Sequence, residues 1–415
     1  MSTPKNFKNK TPTPRRKKEL WVSFSIAFIT LSTIIFYTYI QNSQMNFSQY
    51  PRINIVCNYE IERGHFVNCT FDLDCTDSSL IVDSINAKIK VRGSGRGWNA
   101  KSPKKEYRIE LSEQKSLLGM RKDDDWQLFA MYYDLPRMRI KSSFDLWRDL
   151  KSINPTAILP NSEYVALFLN GEFQGLYLLA ERTDRRLFEL DDAQNNLNSS
   201  LIFQASFPWE QNWPDKNGEY YIMDEIMTEL NSFIENSDNN TFFDPKIGIY
   251  SKFDKLNLID FFLFNFFILH QDFWDFNYYI IRNTNPSKFF LVPWDFDYSF
   301  GQFGGSFRDP TLNPEIEIRD KNVLFTRLIN NKEFMRDCKN RWFYLRKEYW
   351  TEDIILGMIS DLYEEIEYIY KIEKTMWDPK MVEKDWENKM DKSVSYLFQW
   401  IPERIEFCDM YFKNF

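Results

Sequence analysis

One stretch constrains this chain before any other. Residues 20–40, LWVSFSIAFITLSTIIFYTYI, run for 21 residues without a charge. At about 1.5 Å of rise per residue, a helix of that length crosses a hydrocarbon core of about 30 Å. Helices buried inside soluble domains rarely go so far without a charged residue. A cleaved signal peptide has a shorter apolar core, about 7–15 residues, and a small-residue cleavage site, and neither fits here. Arg15, Arg16, Lys17 and Lys18 stand just before the run, and basic residues flanking a span stay in the cytosol. The expectation is a single-pass type II signal anchor. Residues 1–19 form a cytosolic basic tail, 20–40 the transmembrane helix and 41–50 a stalk. The rest then lies in the secretory-pathway lumen or outside the cell.

Two further features fit that orientation. Four N-x-S/T acceptor sequences for glycans, at Asn46, Asn68, Asn198 and Asn239, lie past the run, against one, at Asn9, before it. The five cysteines, Cys57, Cys69, Cys75, Cys338 and Cys408, also lie past it. An oxidising compartment would permit two disulfides and leave one thiol over. Cys338 with Cys408 is a plausible pair between C-terminal helices, and two of the other three could form the second. The chain has only two histidines, His65 and His270, and no CxxC motif, which leaves no zinc-site pattern.

Charge excludes one broad class. The net charge is −8, and the first 20 residues hold seven Lys or Arg against one Glu. The remainder is therefore strongly acidic, which argues against a nucleic-acid partner. With 38 Phe, 22 Tyr and 13 Trp, it carries far more aromatic surface than a disordered chain.

Beyond the stalk, RINIVCNY, HFVNCTFDL, LIVDSINAKIKVRG and KEYRIEL alternate or are β-branched, and read as strands. Residues 135–150 read as a helix. EYVALFLNGEFQGLYLLAER is a hairpin, because Asn170-Gly171 is the strongest two-residue turn signature. Residues 186–250 are polar and Asn-rich, and suggest a loop-rich insertion around one short helix. DKLNLIDFFLFNFFILH, residues 254–270, is too apolar for a surface helix and should be buried nearly all round. Two short strands, NYYIIR and KFFLVP, follow, joined at Asn285-Pro286. From 320 onward apolar residues recur at helical spacing. Strands first and helices second imply an α+β fold of two lobes, a β-rich N-lobe over 51–185 and a helical C-lobe over 186–415, with a ligand cleft between them.

Three motifs carry chemistry. In VRGSGRGWNAKSPKKEYRIEL, Gly93, Gly95 and Gly97 sit between two strands. Glycines let backbone N–H groups turn toward a phosphate, and Arg92, Ser94, Lys104 and Lys105 add cations and donors beside them. In His270-Gln271-Asp272-Phe273-Trp274-Asp275-Phe276-Asn277, an Asp precedes an Asn by five residues at the end of the buried helix. This is the spacing of the protein-kinase catalytic loop, whose Asp accepts a hydroxyl proton and whose Asn holds a metal. Asp275 competes with Asp272 for the base role, and His270 reads as a satisfied core histidine. Pro293-Trp294-Asp295-Phe296-Asp297 closes an apolar strand, and its carboxylates suit a hard divalent cation. The order is glycine loop, lysines, hairpin ending at Ala180-Glu181-Arg182, buried helix, D-x-x-x-x-N and D-F-D. It follows the order of parts in a protein kinase.

These segments resemble the spore-coat protein H (CotH) kinase family. The resemblance is carried by RGSGRGWNAKSPKKEYRIEL, LLGMRKDDDWQLFAMYYDLPRMRIKSSFDLWR, YVALFLNGEFQGLYLLAER and FFLVPWDFDYSFG. It implies a bilobal protein-kinase-like fold, ATP with Mg²⁺ or Mn²⁺, and protein substrates phosphorylated on Ser or Thr. On matching positions it assigns Asp272 as catalytic, Asn277 and Asp295 to the metal, and Gly93, Ser94, Lys104 and Lys105 to the nucleotide. Asp297 joins them as a metal candidate, and Arg92, Gly95 and Glu181 as nucleotide candidates, from their places in the motifs. SGRG after Arg92-Gly93 departs from the polar run more usual in the family. Lys105 is the favoured ATP lysine, since strand alternation puts it on the face of Tyr107, Ile109 and Leu111. Asp145 and Glu163 are possible pairing acids for it. A catalytically inactive surface or adhesion protein on the same fold is the alternative, and transfer of AMP or another group is a third reading.

Overall fold

In the computed structural model, residues 47–93, 102–194, 196–205, 210–214, 222–271, 276–303, 306–377 and 393–415 are described. The proposed anchor, residues 20–40, lies outside them. Among the described residues no helix is long and apolar enough to cross a membrane. Contacts divide the chain into Met1–Gln49 and one compact unit, Tyr50–Phe415.

Alternation builds the first half of that unit. β1 (Arg52–Val56), β2 (Val67–Asp74), β3 (Val82–Val91), β4 (Tyr107–Lys115), β5 (Asp123–Phe129), β6 (Ser162–Leu169) and β7 (Glu172–Glu181) close into a barrel. Their order is β1-β2-β3-β4-β5-β7-β6. Closure removes exposed strand edges. Ile53, Ile55, Phe71, Leu73, Ile89, Ile109, Trp126, Leu128, Val165 and Leu179 fill the interior. All neighbours are antiparallel except β1 and β6, which run parallel and seal the seam. The β6–β7 hairpin turns at Asn170 (φ 51°) and Gly171 (φ 80°), the left-handed pair that Asn-Gly tolerates. α1 (Arg139–Arg148) is the helix expected near 135–150.

The insertion after the barrel is more ordered than its polarity suggests. It contains β8 (Leu201–Gln204), β9 (Glu210–Trp213) and the 15-residue α2 (Ile222–Asn236). Sheet pairing overrides local polarity here: β8 joins a second sheet of order β11-β10-β8-β9, in which β10 is Tyr278–Arg282 and β11 is Phe290–Pro293. Next, α3 (Lys255–Phe267) is buried along nearly its whole length, as its composition demands. Asp254 caps it by accepting from Asn257 N at 2.8 Å. Asn257 then grips strand β11: its Nδ2 donates to Leu291 O (3.0 Å) and its Oδ1 accepts from Leu291 N (2.7 Å). Buried Arg404 donates from Nε to the Phe267 carbonyl (3.0 Å) and also bonds that of Phe266, meeting the negative end of the helix. β10 (Tyr278–Arg282) and β11 (Phe290–Pro293) form the expected hairpin. α4 (Lys332–Glu348), α5 (Glu352–Trp377) and α6 (Ser393–Lys413) complete the unit.

The division into lobes at 185/186 does not appear as two separate units. The reason is that α5 returns to the barrel and places a charge there, described below. All five cysteines are thiols in the structure, including buried Cys338 and Cys408.

Candidate active site

Four segments converge on one pocket. It is lined by Arg92, Lys105, Glu106 and Phe129 of the barrel and by Asp295 and Asp297 after β11. Pairing of β3 with β4 delivers the barrel side. Val91 faces Tyr107, and Arg92 N donates to Glu106 O at 3.0 Å. Arg92 then forms an ion pair with Glu106 (2.9 Å) and lies over the Phe129 ring at 4.2 Å. Gly93 has φ 98°, a conformation other residues rarely adopt, so a glycine is needed where the loop leaves β3. Ser94 and Gly95 lie outside the described residues.

Register delivers the other side. Tyr278 faces Pro293, and Trp294 N donates to Asn277 O at 2.8 Å, so Asn277 sits opposite Trp294, one residue before Asp295. Both hold left-handed backbone angles, φ 59° and φ 68°. Strained non-glycine residues of this kind cluster at functional sites. His270 supports Asp295 from below. Its Nε2 is 2.9 Å from the Asp295 carbonyl and its Nδ1 is 2.8 Å from Asn265 Oδ1. Burial pushes His270 down to about 4, so it is neutral and structural, as read from the sequence. Asp272 and Asp275 lie outside the described residues. Their flanks are anchored: Gln271 N donates to Tyr298 O at 2.9 Å.

Negative charge gathers around Asp297. The carboxyl of half-buried Asp297 sits well above the ordinary range because it has lost solvation and because Asp295, Glu106 and Asp134 surround it with negative charge. Among the described residues no group of three His, Cys, Asp or Glu is arranged to hold a metal alone. Two carboxylates do suit Mg²⁺ or Mn²⁺, since such ions commonly complete their shell with water and substrate phosphates. The residues present fit that mode. The acidic pocket is a cavity of only about 20 Å³, but Arg92 also borders a wider one of about 730 Å³. Arg182, Thr183, Ile202, Tyr279 and Trp294 line the wider cavity.

The lysine pair behaves differently from the expectation. β4 begins only at Tyr107, so alternation does not reach Lys105. Tyr107, Ile109 and Leu111 face the barrel interior rather than the pocket. Lys104 is the buried lysine, 1% exposed. Its Nζ donates to Ala130 O (2.7 Å), Leu176 O (2.6 Å) and Glu373 Oε1 (2.9 Å). The pairing acid is thus Glu373 of α5, and neither Asp145, which pairs with Lys141 and Arg148, nor Glu163. Glu373 also takes Arg137 Nε at 2.7 Å and the Leu176 N–H. Lys105 is half-buried, with Nζ donating to Ser102 O at 2.6 Å, and both lysines line the pocket. Glu181 does not line it. Its carboxylate is used by Arg121 N (2.9 Å) and Asn161 N (2.9 Å), and holds the β7 end in place.

Glu106, Arg137 and Glu373 were not identified from the sequence. Glu106 adjoins the lysine pair and was within reach of the same motif. Glu373 was not, because EEIEYIYKIEK is an ordinary charged helix and its partner is 269 residues away.

Similarity to known proteins follows the same residues. The family described as CotH kinase protein matches residues 89–408. Inner spore coat protein H of Bacillus subtilis (strain 168) is 25% identical over 284 residues, covering 63% of this chain and 72% of that protein. Among solved structures, the Helicobacter pylori proinflammatory kinase CtkA has a TM-score of 0.33 at 12% identity, covering 88% of this chain and 98% of that one. A Golgi casein kinase has a TM-score of 0.27 at 11% identity, over 87% of this chain and 74% of that one. These scores are too low to equate the folds. A family match that takes in the glycine loop, the lysine pair, the D-F-D motif and the C-terminal helices is decisive: the chain belongs to the CotH kinase protein family.

Proposed function

We propose that this protein is an ATP-dependent protein kinase that phosphorylates Ser or Thr of protein substrates. The observation that carries the reading is the pocket where Asp295 and Asp297 face Arg92 and Lys105 beneath the Gly93 turn. Phosphoryl transfer asks a protein mainly for positioning and charge compensation. Arg92 and Lys105 neutralise phosphate oxygens from the barrel side. Asp295 and Asp297, with Asn277 beside them, hold a divalent cation. That cation, Mg²⁺ or Mn²⁺, neutralises charge on the phosphates when bound. The wider cavity beside Trp294 and Tyr279 takes the base and ribose, and Asp272 receives the acceptor's hydroxyl proton. The 20–40 run tethers the protein to a membrane with the body in the secretory pathway.

The test uses the full chain in detergent with ATP and Mn²⁺ or Mg²⁺. Phosphate on the protein itself or on a Ser-rich acceptor is expected. Transfer by Asp295→Ala equal to the parent's would end the reading. A mass gain of about 80 Da on the acceptor identifies phosphate, whereas AMP adds about 329 Da. The narrowness of the acidic pocket favours one alternative, an inactive surface protein. An absent ATP-dependent thermal shift at millimolar metal would select it. Loss of gel mobility shift on glycosidase treatment, with protease cleavage of the body from the cytosolic side, would refute the tether's orientation.

A further inference from the structure

The barrel seam holds two thiols that the kinase reading does not use. β1 and β2 are antiparallel, with Val56 opposite Thr70. One step further along the same register puts Cys57 opposite Cys69. Both side chains point into the barrel, continuing the inward series Ile53, Ile55 on β1 and Phe71, Leu73 on β2. Each is 8% exposed. Their proximity is felt electrostatically, since Cys57 adds to the burial that pushes the Cys69 thiol up to about 12.

Hydrogen bonding fixes the kind of pair. In an antiparallel ladder, residues whose N–H and C=O point away from the partner strand form the closer pairs, with Cα atoms about 4.5 Å apart. Cys57 N donates away from β2, to Asn170 Oδ1 at 2.8 Å. Two residues earlier, Ile55 O also looks away, accepting from Asn170 N at 2.8 Å. Cys57 and Cys69 therefore occupy a close pair, and about 4.5 Å is inside the Cα range of about 4.4–6.8 Å that a disulfide spans. Cys75 lies past the end of β2, where Cys57 has no register partner.

We propose that Cys57 and Cys69 form a disulfide across the β1–β2 ladder. The two thiols lose two protons and two electrons. A small-molecule disulfide such as oxidised glutathione takes them up and leaves as two thiols. Each sulfur gives up its S–H bond and one S–S bond forms. The high Cys69 thiol value leaves little thiolate in the closed barrel, so exchange belongs to folding, before the seam shuts. Once made, the bond ties down β1, the strand whose parallel pairing with β6 closes the barrel. The inference does not depend on the kinase reading.

The experiment refolds the full chain from denaturant in a mixture of reduced and oxidised glutathione. It is then denatured without reductant, alkylated, digested and mapped by mass. Expected is one linked pair of peptides containing Cys57 and Cys69, about 2 Da lighter than the sum of their reduced forms, with Cys75, Cys338 and Cys408 alkylated. Full alkylation of Cys57 and Cys69 would overturn the proposal, as would a link from either to Cys75. A second reading uses stability. Reductant added under unfolding conditions should lower the melting temperature of the parent by a few degrees. It should leave Cys69→Ala unmoved; an equal drop in both would also refute the bond.

Discussion

Removing the Glu373 carboxylate tests whether α5 is fastened to the barrel by charge. Glu373 is fully buried and meets Lys104 Nζ at 2.9 Å, Arg137 Nε at 2.7 Å and the Leu176 N–H. Glu373→Ala leaves Lys104 with two carbonyl oxygens, Arg137 with carbonyls such as Asp134 O at 2.8 Å, and Leu176 N without its acceptor. Two buried cations then share no anion. Breaking a buried pair from one side costs about 3–5 kcal/mol. Urea unfolding followed by Trp fluorescence should show a loss of that size. Lys104→Met should cost less, because Glu373 keeps Arg137. The double variant should cost less than the sum, with a coupling of about 1–3 kcal/mol. A loss below about 1 kcal/mol for Glu373→Ala, or strict additivity, would refute the account.

Two other outcomes follow from the same geometry. Burial, only partly opposed by Glu373, pushes Lys104 down to about 8. The folded state therefore binds fewer protons than the unfolded chain between pH 8 and the ordinary lysine value, and stability rises with pH there. From pH 8 to 10 the parent should gain about 2 kcal/mol relative to Lys104→Met, read from urea midpoints; a flat difference refutes the shift. Gly301 has φ 77°, and a Cβ there would collide with the Trp400 ring. Gly301→Ala should cost about 1–3 kcal/mol and lower the melting temperature, whereas an unchanged midpoint would show that α6 packs elsewhere.

The local sequence carried much of this protein. Alternation identified four barrel strands, Asn170-Gly171 identified the hairpin, and the run from Leu258 to Phe267 identified a buried helix, because each signal is written in adjacent residues. The positions of Gly93, Asn277 and Asp295 were legible for the same reason: short loops between strands have few ways to fold. β5 was missed, although its DDDWQLF segment ends in an apolar alternation, because its first half is acidic. It is stable as a strand only because β4 and β7 flank it and Arg108, Arg121, Arg182 and Arg186 neutralise its aspartates. Alternation does not reach the lysines, since β4 begins only at Tyr107.

What tertiary structure alone decided is which distant residues share a dielectric. Lys104 and Lys105 are chemically identical neighbours that both border the pocket, and only closure of the barrel against α5 buries the Lys104 ammonium against Glu373 while Lys105 stays half-buried. The acid that balances Lys104, the partner of Cys57 and the parallel seam of β1 with β6 are equally silent in the chain. Periodicity reports how one element meets water, whereas these pairings depend on where two elements meet each other.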